Sequence, residues 1–385
     1  MPPITANSYP SNLFSTPDLA SDRRNPPDVF LQPLHTSSVA RELIDTARAL
    51  VHPRGKGIYA TDEDPQTIAA VLGGPIDEAR LKEWTEEEQR DRRRKWREAA
   101  YKAISSEYIS GVILYPETLI EFQLAELLTS KGIIPGVRAN ADLRPIPRSE
   151  AELAVEGLDG LLKKLQAARI AGARFSKWRC PIACTSVVRG LPTQAGLETQ
   201  ADTLAQYAAI SQQAGLVPIV EPDVAFTEDA DLPRSADVHE RVISAIYERC
   251  RVHGVLLEGS LIKPSFPQPG LKHPSRDKVT AEDVGLAIAT VIARSVPISV
   301  PGVVFLSGGL PSEVATSYLA ALNALVNSSK PDSPFRRLPV LSFSFGRALQ
   351  GDAAKHWVRG DEEKMKETLE KWSRACWLAA QGKTA

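Results

Sequence analysis

Two lysines and two carboxylates lie within or at the ends of short apolar segments of this chain. They are Asp62 in 57–62, Lys177 in 173–179, Glu221 in 216–223 and Lys263 in 254–263. A lysine held in an apolar site has a lowered pKa, and its neutral amine attacks carbonyl carbon. Neighbouring carboxylates can move the protons that this reaction needs. These residue types indicate Schiff-base chemistry on Lys263, whereas the simpler alternative is a lysine that leaves its strand for solvent.

The elements that must position these residues form a repeat of apolar runs and helical segments. The runs predict eight strands, at 57–62, 111–116, 133–139, 173–179, 216–223, 254–263, 302–309 and 340–347. Helical periodicity predicts helices at 38–51, 78–105, 119–130, 150–171, 198–214, 236–253, 281–294, 312–327 and 361–381. Apolar strands that alternate with helices form a parallel sheet, and eight such units fit the α/β fold of a (β/α)8 TIM barrel. The alternative is an open doubly wound sheet, but no G-x-G-x-x-G pattern follows the first strand.

The active site of such a barrel lies at the C-terminal ends of its strands. The polar residues and glycines at these ends are Asp62, Glu63, Asp64, Arg138, Lys177, Arg179, Glu221, Asp223, Lys263, Ser307, Gly308, Gly309, Gly346 and Arg347. We expect the ammonium groups of Lys177 and Lys263 to repel each other and so to lower one pKa, with Glu221 between them to shuttle protons. Asp62, across the barrel, is the expected base for a hydroxyl proton. The glycines of the last two strands, together with Arg347, predict a phosphate site.

The composition of the chain excludes several classes of function. The chain has 385 residues, a net charge of −1 and four cysteines, so we expect neither nucleic acid nor an anionic membrane as a partner. No apolar run approaches the ~20 residues of a membrane span, and the N-terminus shows no signal pattern. The cysteines predict reduced thiols in a cytoplasmic protein, and the C-x3-C pair is a poor metal site. We expect residues 1–36 to form an irregular arm and residues 37–385 to form a single-domain barrel with a C-terminal helix.

Several longer segments resemble class I (Schiff-base) fructose-bisphosphate aldolases. In family order these segments are GVIL at 111–114, KWRC at 177–180, VPIVEP at 217–222, LEGSLIKP at 257–264, FLSGG at 305–309 and FSFGRALQ at 343–350. The similarity runs from about residue 37 to 383. It implies the barrel fold, no metal or other cofactor, a sugar phosphate as ligand and a homotetramer. The implied reaction cleaves or forms fructose 1,6-bisphosphate, or a related ketose phosphate, to or from dihydroxyacetone phosphate and an aldehyde through a lysine Schiff base.

The resemblance also assigns roles to single residues. It implies that Lys263 forms the Schiff base, that Glu221 is the general acid and base, that Lys177 assists protonation and that Asp62 takes the hydroxyl proton. Residues implied to hold the phosphate nearest the ketone are Ser307, Gly308, Gly309, Ser344, Gly346 and Arg347. Those implied on the side of the second phosphate are Arg93, Arg138 and Arg179.

Four departures from the family pattern concern the second phosphate and product release. Arg138 replaces a lysine, Asp64 replaces a serine, and Ala70-Val71 replaces a basic pair. The chain stops at Ala385 without the family's terminal tyrosine, so we expect slower release of the ketone product. The weakened phosphate side makes an aldehyde partner without phosphate a competitor to the standard one. A paralogue with low activity that binds or regulates is a further alternative.

Overall fold

The computed structural model describes residues 35–73, 84–149 and 151–384. The expected arm, residues 1–36, therefore lies almost wholly outside the described residues, as does the start of the helix predicted at 78–105. Eight parallel strands close into a barrel. Around the ring they are β1 Gly57–Thr61, β2 Ile109–Leu114, β3 Ile134–Arg138, β6 Phe175–Ile182, β7 Val217–Val224, β8 Leu261–Ile262, β9 Gly302–Phe305 and β10 Val340–Phe345. The predicted (β/α)8 TIM barrel is confirmed.

Helices cover the outside of this barrel and close one of its ends. They are α1 Ser37–Val51, α2 Pro65–Gly73, α3 Glu86–Ala103, α4 Ala125–Thr129, α5 Leu161–Ile170, α6 Gln194–Gln213, α7 Leu232–Val252, α8 Ala281–Ser295, α9 Ser312–Ser328, α10 Arg347–Val358 and α11 Glu362–Ala379. Local sequence fixes several starts, since Thr85 and Glu88 form a capping box at α3 and Asp231 caps α7. The predicted C-terminal helix is α11, which packs outside the barrel against α3, α9 and α10.

Two of the predicted elements are wrong over much of their length. The helix predicted at 150–171 begins only at Leu161, and its first part contains β5, Leu153–Val155, which pairs antiparallel with β4, Leu143–Pro145. Gly157 and Gly160 have φ values of +118° and +68°, which interrupt any helix through this region. Only seven residues separate β4 from β5, so the two strands form a local hairpin, which helical periodicity alone does not reveal.

The strand predicted at 254–263 is mostly a 3-10 turn, Leu257–Gly259, followed by the two-residue β8. The buried amide of Gln212 explains the difference. Its Nε2 donates to the carbonyls of Leu256 and Gly259 at 2.7 and 3.1 Å, and its Oε1 accepts from the Leu256 N–H at 2.9 Å. A side chain from α6 thus satisfies backbone groups that a strand neighbour would otherwise pair. Helices α2 and α10 were not predicted.

The barrel interior is apolar at its N-terminal end and polar at the other. Phe175 of β6 lies in the interior, where its ring is so close to Gly136 that a Cβ there would be 2.3 Å away. Replacing Phe175 by Ala would cost about 3–5 kcal/mol. Helix α1 closes the N-terminal end by packing Leu43, Leu50 and Val51 against the interior residues. The ionisable side chains lie at the C-terminal end of the barrel interior.

Candidate active site

Four ionisable side chains meet inside the C-terminal end of the barrel. Lys177 Nζ lies 2.7 Å from Asp62 Oδ2 and 3.1 Å from Glu221 Oε2, and Lys263 Nζ lies 3.3 Å from Glu221 Oε1. Lys177, Glu221 and Lys263 are each only 3–4% exposed. Buried charges of this kind are tolerated only when they are paired. The structure therefore places the residues predicted for catalysis in one continuous chain of contacts.

Strand geometry explains how these side chains come to face inward. Along β6, Phe175, Lys177 and Arg179 point to one face, while Ser176 and Trp178 point to the helices, where Ser176 contacts Tyr207 of α6 at 2.8 Å. Strand β7 lies between β6 and β8, so Glu221 lies between the two lysines. Lys263 directly follows β8, and its N–H donates to the Val220 carbonyl at 2.8 Å, which fixes its backbone beside β7.

The surrounding charges set the protonation of Lys177 and Asp62. Burial alone would lower the pKa of Lys177, but the carboxylates of Asp62 and Glu221 outweigh it, and the pKa lies above its usual value. Burial would raise the pKa of Asp62, but Lys177 and Lys263 reverse this effect and lower the pKa to about 2. Lys177 is thus a cation and Asp62 an anion at neutral pH. The repulsion that we expected between the lysines does not lower the pKa of Lys177.

A cleft of about 650 Å³ opens from this cluster, and one of its walls has the features of an anion site. Gly308 and Gly309 follow β9 with φ values of +58° and +88°, and neither N–H donates to any other part of the described chain. Successive free N–H groups in such a turn form a concavity that binds anions. Gly346 lies at the N-terminus of α10 with no side-chain cap, and Arg347 begins that helix.

The side chain of Arg347 completes this wall. Its guanidinium lies so close to Gly309 that a Cβ there would be 2.9 Å from Nη2, and Arg347 forms no ion pair or hydrogen bond with any residue of the described ranges. Ser307 and Ser344 also line the cleft. Ser344 is 1% exposed, and its Oγ has no partner among the described residues. We name this wall the glycine-loop end and define it as Ser307, Gly308, Gly309, Ser344, Gly346 and Arg347.

The three arginines predicted for the second phosphate are each paired with a carboxylate. Arg179 lies 2.6 Å from Asp223, Arg138 lies 3.8 Å from Asp64, and Arg93 forms a bidentate pair with Glu117 at 2.8 and 3.1 Å. Arg138 and Arg179 line the cleft, while Arg93 is not among the lining residues. We name this wall the arginine end and define it as Asp64, Arg138, Asn140, Asp142, Arg179 and Asp223.

Sequence reasoning missed one residue of the cleft, Asn140, and assigned no role to two others, Glu63 and Asp223. Asn140 accepts from the Arg179 N–H at 3.2 Å, and Glu63 accepts from Arg97 at 2.9 Å and also from the Gln350 amide. The strand-end rule identified Glu63 and Asp223 as residues of this rim. Asn140 follows β3 in a segment without a comparable signal.

The comparisons with known proteins agree on one family. Residues 42–385 match the sequence profile of the family Fructose-bisphosphate aldolase class-I. The fructose-bisphosphate aldolase of Dictyostelium discoideum is 38% identical over 328 residues, which are 83% of this chain and 86% of that protein. Fructose-bisphosphate aldolase B of Bos taurus is 37% identical over 345 residues, 88% of each protein. The chain is a member of the class-I fructose-bisphosphate aldolase family.

A solved structure supports the same assignment. Fructose-bisphosphate aldolase from Plasmodium falciparum, in complex with TRAP and a small-molecule inhibitor, matches with a TM-score of 0.81 at 36% identity and covers 91% of this chain and 96% of that chain. The family resemblance read from the sequence is confirmed, and with it the function of an aldolase, a carbon–carbon lyase of the glycolytic family. A sugar phosphate is the substrate class consistent with this family.

Within residues 35–73, 84–149 and 151–384, no three His, Cys, Asp or Glu side chains are grouped so that they could hold a metal ion. No helix in the same part of the chain has the length and apolar character needed to cross a membrane.

Proposed function

We propose that this aldolase cleaves and forms a ketose phosphate through a Schiff base on Lys263, with dihydroxyacetone phosphate as the ketone product. The assignment of the Schiff base to Lys263 depends on the different contacts of the two buried lysines. Lys177 is held by two carboxylates, which keep it protonated, whereas the one carboxylate paired with Lys263 among the described residues is Glu221, at 3.3 Å. Only a neutral amine adds to a carbonyl, so the less tightly paired lysine is the better nucleophile.

Each of the neighbouring groups has a role in the proposed reaction. The Lys263 amine adds to the ketone carbon, and Glu221 protonates the departing hydroxyl, so that water leaves and an iminium ion forms. Glu221 is placed for this role because its Oε1 lies 3.3 Å from Lys263 Nζ and its Oε2 lies 3.1 Å from Lys177 Nζ. Asp62, ionised and 2.7 Å from Lys177, takes the proton of the hydroxyl beyond the scissile bond.

The same side chains serve the remaining steps, which are bond cleavage, protonation of the enamine and hydrolysis. The electron pair of the breaking carbon–carbon bond moves into the iminium to give an enamine, and the aldehyde leaves. Lys177 and Glu221 return a proton to the enamine carbon, and water then hydrolyses the iminium to release the ketone product and the free amine. The glycine-loop end holds the phosphate nearest the ketone, because its free N–H groups and Arg347 are donors for an anion.

Reductive trapping tests the proposal. Purified protein is incubated with dihydroxyacetone phosphate and borohydride, and peptide mass spectrometry locates the label. We expect the label on Lys263, none on Lys177, and loss of labelling in Lys263→Met. The matched control is Lys355→Met, because Lys355 is an exposed lysine of α10 paired with Asp352. Label on Lys177, or no label at all, would refute the assignment.

Turnover separates the enzyme from the alternative, a paralogue with low activity that serves as a binding or regulatory protein. That alternative predicts trapping on Lys263 without measurable release of aldehyde from any ketose phosphate. Steady-state cleavage assays on fructose 1-phosphate and fructose 1,6-bisphosphate measure this release directly, and we expect turnover.

We also propose a homotetramer and a cytoplasmic location, both supported by membership of the family. All four cysteines are free and buried, as expected of thiols kept reduced. Light scattering after size-exclusion chromatography measures the mass in solution, and a monomeric mass would contradict the tetramer. Fractionation of the native source tests the location.

A further inference from the structure

A second cavity of about 800 Å³ adjoins the active-site cleft at the arginine end. The two spaces share five lining residues, Asp64, Arg138, Asn140, Ala141 and Asp142. Arg138 forms the junction, because its Nη1 donates to the Asp62 carbonyl at 3.4 Å and its guanidinium lies over the Tyr115 ring, 5.8 Å from the centroid. The two spaces therefore adjoin along these five residues, with Arg138 between them.

The far walls of the second cavity are mainly apolar. Helix α5 supplies Leu161, Leu165 and Ala168, and Ile120 and Val137 lie on other sides. Tyr115 adds an aromatic face beside Arg138. Lys164 is the one further cation among the lining residues. Such a surface favours an apolar or aromatic substituent over a phosphate dianion. A phosphate would lose its hydration there without gaining enough hydrogen bonds or ion pairs to offset the cost.

The arginine end also has little positive charge to offer a phosphate. Partial burial would raise the pKa of Asp64, but the Thr67 N–H and Arg138 outweigh this effect, so Asp64 stays ionised beside Arg138. Burial would lower the pKa of Arg179, but the carboxylate of Asp223 outweighs this effect, so the pKa is raised and Arg179 stays charged beside Asp223. Asp142 adds a carboxylate with no cation within 4 Å in the described ranges. Formal charges at this end sum to −1, counting two arginines and three aspartates.

We propose that the aldehyde partner of this enzyme is uncharged and carries an apolar tail, which lies in the second cavity beside Tyr115. The inference rests on the proposed function, since it assumes that the ketone phosphate binds at the glycine-loop end and that the scissile bond lies between Lys263 and Asp62. The chemistry is unchanged, and the second cavity alters only which aldehyde is favoured.

A panel of aldehydes tests the proposal in the direction of synthesis. Dihydroxyacetone phosphate is condensed with D-glyceraldehyde 3-phosphate, D-glyceraldehyde or phenylacetaldehyde, and kcat/KM is measured for each aldehyde. We expect phenylacetaldehyde to exceed D-glyceraldehyde 3-phosphate at least about tenfold, which corresponds to about 1.4 kcal/mol. In cleavage, fructose 1-phosphate is expected to be turned over at least as well as fructose 1,6-bisphosphate.

A substitution that fills the cavity locates the tail. Ala167 is an exposed residue of α5 that lines the cavity, and Gln166, next to it on the same helix, is exposed and does not line the cavity. We expect Ala167→Phe to raise KM for phenylacetaldehyde at least about fivefold while KM for D-glyceraldehyde stays within about twofold. Gln166→Phe introduces the same ring on the same helix and should change neither value.

A second variant tests the charge argument. Asp64→Asn keeps an acceptor for the Thr67 N–H, which Asp64 Oδ1 accepts at 2.8 Å, and removes the carboxylate beside Arg138. We expect kcat/KM for D-glyceraldehyde 3-phosphate to rise about three- to tenfold, with little change for D-glyceraldehyde.

The outcomes separate this inference from the proposed function. Wild-type preference for the phosphorylated aldehyde over phenylacetaldehyde, or equal effects of Ala167→Phe and Gln166→Phe, would overturn the inference while trapping on Lys263 still supported the proposed function. Failure of trapping would overturn the proposed function itself, whatever the aldehyde preference.

Discussion

The two ends of the cleft contain similar cations in different surroundings. At the glycine-loop end, Arg347 has no carboxylate within 4 Å in the described ranges, and the N–H groups of Gly308 and Gly309 are free. At the arginine end, Arg138 and Arg179 lie 3.8 and 2.6 Å from Asp64 and Asp223. An arginine that already has a carboxylate partner gains less from a phosphate, because that partner must be given up or repelled. A count of cations therefore misjudges a phosphate site unless their partners are also known.

The two buried lysines between these ends show the same contrast. Lys177 has two carboxylate partners and Lys263 has one, although both are buried to the same degree. In both comparisons, the group with fewer protein partners is the one that we assign to direct contact with substrate.

The largest effect is expected from Lys177→Met, which tests whether this lysine assists catalysis without being the nucleophile. Loss of a proton donor of this kind lowers kcat by about a hundredfold to ten-thousandfold. Borohydride should still trap dihydroxyacetone phosphate on Lys263, and that label also shows that the variant is folded. Turnover within a few-fold of wild type would show that the ammonium of Lys177 is not needed.

A smaller effect is expected from removing the unpaired arginine. A hydrogen bond to a charged group contributes about 1.5–3 kcal/mol, so Arg347→Gln should raise KM for fructose 1-phosphate by about ten- to a hundredfold. Arg179→Gln is the matched substitution at the other end, and it should raise the same KM by less than about threefold. Similar increases for both variants, measured by steady-state kinetics, would remove the contrast between the two ends.

The smallest effect concerns stability in acid. The pKa of Asp62 is lowered from 3.8 to about 2 in the folded protein. Its contribution to stability is therefore fully present above pH 4 and is lost as the pH falls through 2. A shift of this size corresponds to about 2 kcal/mol.

Chemical denaturation at pH values between 5 and 2 measures this contribution. We expect Asp62→Asn to lose less unfolding free energy over that interval than wild type does. Asp352→Asn, at an exposed position on α10, is the control and should follow the wild-type slope. Parallel slopes for wild type and Asp62→Asn would contradict the lowered pKa.

Much of the fold and of the site could be predicted from the sequence, and the failures have a common cause. Apolar runs and periodicity identified all eight barrel strands and most of the helices because these signals are local. The segment at 254–263 was misread because Gln212, on a distant helix, satisfies its backbone. The helix predicted at 150–171 failed because Leu153–Val155 pairs with another strand. In both cases the periodicity of one segment does not reveal its partner, which is a distant helix in the first case and a strand seven residues away in the second.

The candidate site, too, was predicted in part from the sequence and in part not. Strand ends gave Asp62, Lys177, Glu221 and Lys263 as residues that meet, since a closed parallel barrel brings the C-terminal ends of its strands to one rim. Their side chains do meet there. The pKa of Lys177 is raised by two carboxylate neighbours, Asp62 and Glu221, which come from strands far apart in the chain.

By itself, the sequence determined the barrel, the residues at the C-terminal ends of its strands and the family, because periodicity and contiguous motifs are properties of the chain as it is read. Only the tertiary structure decided which lysine is held by two carboxylates, which arginines are already paired, and that a second cavity opens beside Arg138. These are distances between side chains from different strands, and they exist only once the barrel has closed.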